Sequence, residues 1–239
     1  MLLDRAIQLA TRAQEYKLAN ELAREAQAFA TRVSQLEGPV NELHQLRQLA
    51  VEFAENGIDI PFDKAVTQGV VRRAKELLEA FTADPKSLTE GDESFRQQFL
   101  PGIRSVSQQL KVALETGWQQ RVDKELEALP QDVLTALETV SSYRAQILMI
   151  RRCDEDAKRL RSMLPALGEV ATKLAVLAET ITKKDLAWQS LKGSELPDEV
   201  IDFLKQAGTH GFSLADVTAS ITQWLSERGL LGSFRIRSV

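Results

Sequence analysis

Ala19, Leu22, Ala26, Phe29, Val33 and Leu36 recur at alternating steps of three and four residues, which places them on one stripe of a helix. Leu2, Ala6, Leu9, Ala13 and Tyr16 keep the same rhythm upstream, with one slip of phase between Tyr16 and Ala19. The spacing predicts a helix from about residue 2 to 37, roughly 50 Å long. That is longer than a compact domain of this size requires, so the helix is expected to project or to lie along an extended bundle. The stripe is already in phase at Leu2 with no capping Ser, Thr or Asp ahead of it, so the chain is expected to be a piece of a longer protein.

Gly38-Pro39 is expected to break this pattern, after which Val40, Leu43, Leu46, Ala50 and Phe53 form a shorter helix ending at Asn56-Gly57. A third helix is predicted from about Phe62 to Ala83, with Val66, Val70, Ala74, Leu77, Leu78 and Phe81 inward and Asp84-Pro85 as its stop. The fourth runs from about Asp92 to Ala128 on Phe95, Phe99, Ile103, Val106, Leu110, Ala113 and Val122. Its stripe keeps phase across Pro101, which predicts a kink there and not a break.

Pro130 opens a further long helix on Val133, Leu137, Val140, Ile147, Ile150, Ala157, Leu160 and Leu164, with pauses at Arg144 and Asp154. Pro165 opens the next, which carries Leu167, Val170, Leu174, Leu177, Ala178, Ile181 and Trp188 and stops at Gly193. Long helices joined by short links favour antiparallel neighbours, and no fixed-period repeat is visible. The expected architecture is therefore all-α, an extended antiparallel bundle over residues 1–192 with coiled-coil-like long helices.

Residues 193–239 read as a separate small module. Val200, Ile201, Phe203 and Leu204 lie on a short helix ended by Gly208 and Gly211. Ser213 and Asp216 suggest a capping box for a last helix on Leu214, Val217, Ile221, Trp224 and Leu225, which stops at Gly229. Ser233-Phe234-Arg235-Ile236-Arg237 alternates as a short strand would, lying on the C-terminal helices or completing the sheet of another protein. This succession resembles the ground plan of a winged helix-turn-helix, which implies DNA binding with the bundle as a dimerisation arm. It departs from that plan because the stretch from Ser213 to Gly229 holds one helix and not two. The outer face of the last helix offers only Gln223 and Arg228 as base readers.

Composition narrows the function classes. The 239 residues are 44% apolar, 27% charged and 6% aromatic, and the formal net charge of -4 supplies no general attraction to phosphate. Nucleic acid is therefore disfavoured as a partner. Arg144, Arg151, Arg152, Lys158, Arg159 and Arg161 make a basic stretch, but Asp154, Glu155 and Asp156 interrupt it and suggest a solvated face with pairs such as Glu155 with Arg159. Cys153 stands alone, which fits a reducing compartment, and no apolar run approaches the roughly 18 residues of a membrane span. A cytoplasmic location with no membrane partner is the expectation.

The sequence points to no catalytic residue, no cofactor and no metal site. His44 and His210 are the only imidazoles and lie far apart, and no phosphate-binding glycine loop or nucleophile elbow occurs. Contact with other proteins is the leading expectation, through a scaffold or docking module in a larger assembly, homo-oligomers included. A regulatory segment of a larger NTP-driven machine is a third reading. The candidate contact residues are Trp118, Trp224, Arg228, Phe234, Arg235, Ile236 and Arg237. Core packing is the leading reading for Trp118, Trp188 and Trp224, and Trp118 is singled out as a contact anchor because Gly117 beside it would let another helix approach.

Overall fold

A computed structural model of the chain describes residues 2–90, 93–138, 140–193, 196–209, 212–213 and 217–234. The protein is all-α, and the described residues contain no strand. Among them no helix is long and apolar enough to cross a membrane. The chain divides into two compact units, residues 1–117 and 118–239.

In the first unit, helix α1 runs from Leu2 to Glu55 without interruption, through Gly38 and Pro39. The expected break does not occur. Proline inside a helix removes one hydrogen bond and costs about 3 kcal/mol. The apolar stripe nonetheless steps from Leu36 to Val40 in phase, so Leu36, Leu43 and Leu46 turn toward the unit's interior on both sides of the proline. The stop falls at Gly57, whose φ of 67° suits glycine. Gly57 N–H donates to Ala54 O at 3.1 Å and Ile58 N–H to Phe53 O at 2.9 Å. The side chains of Phe53 and Ile58 on either side of this stop are both buried.

Helix α2 (Ala65–Ala83) starts where Asp63 Oδ1 accepts from the Ala65 N–H at 2.8 Å. It ends as expected at Asp84, which is extended ahead of Pro85. None of its side chains is fully buried, and Leu78 and Phe81, expected inward, are exposed. A one-turn α3 (Ser87–Glu90) follows, then a π-helical stretch, Glu93–Phe99, that leads into α4 (Leu100–Glu125). Where a kink is expected at Pro101, the chain changes from π to α at Leu100, just ahead of a residue that has no N–H to give to an α-type bond. Arg32 fastens α1 to this corner: its Nε donates to Leu88 O at 3.3 Å and its guanidinium lies 5.1 Å from the Phe95 ring centroid.

The long helix expected after Pro130 is two helices, α5 (Gln131–Leu137) and α6 (Arg144–Ser162). Ser141, Ser142 and the β-branched Val140 sit in the interval, where hydroxyl side chains compete for backbone groups and helix propensity is low. Asp154 lies inside α6 with no pause. Helix α7 (Val170–Gly193) begins five residues later than expected from Pro165, because Gly168 takes φ 84°, which a helix cannot contain. The hairpin of α6 and α7 is antiparallel, with Asp154 in mid α6 facing Lys184 in the second half of α7.

Helices α8 (Asp198–Thr209) and α9 (Ala219–Glu227) complete the second unit. The cap of α9 is Thr218, whose Oγ1 accepts from Ile221 N–H at 3.2 Å, and not the expected Ser213. Asp216 lies outside the described residues. Gly229 ends α9 as Gly57 ends α1: Gly229 N–H donates to Ser226 O, Leu230 N–H to Leu225 O, and both leucines are buried. Val200, Leu204, Ile221 and Leu225 share one core with Leu134 and Leu137 of α5 and Ile147 and Ile150 of α6. The C-terminal helices thus have no core separate from the preceding ones. In place of the expected strand, Leu231–Ser233 form a 3-10 turn, because Leu230 is already tied into the α9 stop; residues 235–239 lie outside the described residues.

Candidate docking surface

The apolar stripe of α1 is wider than its own unit can cover. Phe53 and Leu49 are buried, and Phe29, Leu36, Leu43 and Leu46 are half-buried. On the adjoining flank Leu22 is 59% exposed, Val33 63%, Val40 47% and Val51 52%. These four are spaced by eleven, seven and eleven residues, close to three, two and three whole turns, so they stand in one line along the helix. Leu18 continues the line toward the N-terminus and is 62% exposed. Ala19 and Ala26 lie beside it, also exposed.

What α1 does bury is fixed at one place. Phe29 meets Phe81 edge-on at 6.2 Å between centroids, and Lys86 Nζ lies 2.7 Å from Glu25. Residues 11–24 of α1 are exposed all round. The line of large apolar groups carries two charges in its own plane, Glu15 and Arg47, both exposed, and neither makes an ion pair among the described residues. Leu22, Val33, Val40 and Val51 thus form an uncovered line of leucine and valine on a continuous helix.

No family model, curated protein or solved structure matches the chain.

The residues singled out from sequence lie elsewhere. Trp118 is fully enclosed, and its Nε1 donates to Leu160 O at 2.7 Å, so it has the packing role and not the role of an exposed anchor. The close approach that Gly117 allows is to the backbone carbonyl of Asp59 of the same chain. Trp224 is buried and stacks on Tyr143 with centroids 6.3 Å apart. Arg228 lies 4.5 Å from the Trp224 ring and its Nε donates to the Tyr143 hydroxyl at 3.3 Å, so its charge is spent within the core edge. Phe234 packs 5.2 Å from Phe203. Arg235, Ile236 and Arg237 lie outside the described residues, as does His210. Of the expected readers, Gln223 is bonded to Glu227 at 2.8 Å.

Three of the six basic residues in the basic stretch of α6, Arg151, Arg159 and Arg161, pair with carboxylates within the second unit. Arg151 meets Glu138 at 2.6 Å, Arg161 meets Asp123 at 2.8 Å, and Arg159 pairs with Asp156 and not with Glu155. The bond from Asp123 holds the Arg161 guanidinium above its ordinary pKa, and the charge of Asp123 adds to this.

Two of the clefts among the described residues hold charged or polar groups. One, about 300 Å³, lies between α2 and the start of α4 and is lined by Gly69, Val70, Arg73, Gln98 and Gly102, with Arg73 bonded to Gln98 and Glu76. The other, about 610 Å³, is lined by Glu127, Trp188, Lys192, Asp198, Asp202 and Lys205. Within it Lys205 lies 3.6 Å from Asp202, and Lys192 sits 5.7 Å from the Trp188 ring.

The exposure of Leu22, Val33 and Val40 is not readable from the sequence because periodicity reports an apolar face and not what covers it. The available signal was breadth. From Leu22 to Phe53 the apolar positions span more of the circumference than one neighbouring helix occupies.

Proposed function

We propose that this chain is a non-catalytic docking or scaffold module that engages another protein through the exposed apolar line of α1. The observation that carries it is the exposure of Leu22, Val33, Val40 and Val51, four large aliphatic groups in one line on an unbroken helix of 54 residues. Apolar surface of this extent is rare on a protein that works alone, whereas a helix laid along it would bury the line at about 25 cal/mol per Å². The coiled-coil character expected of α1 is completed by that partner helix, and the length of α1, roughly 80 Å, lets one helix set the spacing between what it holds.

A photoreactive residue placed at position 22 or 40 of the full chain tests this in cells that produce it, with position 42 as control. Residue 42 is exposed and turned by roughly 200° from residue 40, so it faces away from the line. Adducts of defined mass at 22 and 40 but not at 42 are expected. Irradiation that yields no adduct at 22 or 40, or equal adducts at all three, overturns the proposal.

A further inference from the structure

Resting on docking through α1, we infer that the occupant is a second copy of this chain, its α1 laid antiparallel on the first and centred at Thr31. Between Glu15 and Arg47, a seam drawn from the line and its half-buried flank runs through positions 15, 19, 22, 26, 29, 33, 36, 40, 43 and 47, with steps that alternate between four and three residues; Leu18 borders this seam and Val51 lies beyond it. That order reads the same from either end, so an inverted copy meets it layer by layer. Residues equally distant from position 31 then face each other: Leu22 with Val40, Ala26 with Leu36, Phe29 with Val33, Ala19 with Leu43, and Glu15 with Arg47.

Three features favour this arrangement over a parallel one. Small residues fall opposite large ones, Ala19 against Leu43 and Ala26 against Leu36, which lets two helices interdigitate without voids. A parallel pair would set alanine against alanine in two layers. Charge decides in the same direction: the antiparallel register closes each end with Glu15 against Arg47, whereas the parallel one sets Glu15 against Glu15 and Arg47 against Arg47. Both charges are exposed and neither has an ion-pair partner among the described residues, so each is available to the other copy. The flank groups Phe29, Leu36 and Leu43 are half-buried by their own unit and present their remaining edges to the second helix.

The test is sedimentation equilibrium of the purified full chain across a concentration series, with E15R, R47E and the double variant E15R/R47E. The wild type is expected to pass from monomer to dimer as concentration rises. Each single substitution places like charges at both ends of the pair and is expected to weaken association by about tenfold to hundredfold. The double variant restores opposite charges in the antiparallel register and is expected to recover the dimer, and an equimolar mixture of the two single variants is expected to form the mixed pair. Unchanged helix content and melting in all variants shows that the fold is intact. A double variant that fails to recover, or single variants that dimerise as well as wild type, overturns the antiparallel register. A wild type that stays monomeric throughout overturns self-pairing. Docking by this face then still stands if positions 22 and 40 crosslink to a different chain, and falls with it if they crosslink to nothing.

Discussion

The ammonium of Lys184 lies 2.8 Å from the carboxylate of Asp154 and also donates to the backbone carbonyl of Glu127 at 2.6 Å. Lys184 is 3% exposed, so one buried cation joins α7 to α6 and to the segment that follows α4. Removing one partner of such a pair leaves a charge without compensation, whereas removing both together need cost little. Asp154→Ala should therefore lower unfolding stability by about 3 kcal/mol, and Asp154→Leu with Lys184→Met should restore most of the loss. Urea denaturation of the full double-mutant cycle checks this. A loss below about 1 kcal/mol in the single variant contradicts a structural role for the pair.

Trp118 yields a second prediction. Trp118→Phe keeps most of the buried ring but leaves Leu160 O without its indole donor, and should cost about 2 kcal/mol. Trp118→Ala adds a cavity and should cost about 3 to 5 kcal/mol. Equal and small effects in thermal melts of the two variants would mean that the tryptophan is not the packed group described here.

Glycines in α2 and α4 should respond in opposite directions. A Cβ on Gly69 meets nothing within 4 Å, so Gly69→Ala should stabilise by about 0.5 to 1 kcal/mol through helix propensity. A Cβ on Gly117 meets the carbonyl oxygen of Asp59, which is backbone and cannot turn away, so Gly117→Ala should destabilise by about 1 to 3 kcal/mol. Denaturant midpoints of the two variants decide it, and the same sign for both contradicts the packing at Gly117.

Those glycines also show what the sequence could and could not reveal. The all-α class and the helix stops at Gly57, Asp84 and Gly229 follow from local chemistry, because a positive φ or a following proline acts on its immediate neighbours. Pro39 does not end the helix, for a physical reason. A helix survives an internal proline when apolar groups on both sides remain on one face, and the phase criterion that keeps Pro101 within a helical run holds equally from Leu36 to Val40. The break between α5 and α6 went unseen because the stripe from Leu137 to Ile147 bridges it in number but not in space. The exposed apolar face of α1 is half legible in the sequence. Its groups were recognised as apolar and periodic, but whether a chain covers its own stripe depends on long-range packing, such as the contact of Phe29 with Phe81.

Cys153 gives a chemical probe of the second unit. Burial raises its thiol pKa above the ordinary value, and the neighbouring charges of Asp156 and Asp154 raise it further. The folded state thus holds the thiol proton at a pH where the unfolded chain has begun to lose it, so this group favours folding below the ordinary thiol pKa and that contribution fades as pH rises through and above it. A disulfide reagent at pH 8 should react with the native protein at least about a hundredfold more slowly than with the urea-unfolded chain. Comparable rates would show that Cys153 is neither enclosed nor suppressed.

The most direct test of docking through α1 is the sedimentation profile of the full chain in native extract, for wild type and for Leu22→Glu with Val40→Glu. Both positions are exposed in the monomer, so the variant should keep its helix content and melting temperature. The wild type is expected to sediment as a species clearly heavier than its 26.7 kDa monomer, and the variant as the monomer. A wild type already at monomer mass, or a variant that remains in the heavier species, contradicts the proposal that this face is where the protein makes contact.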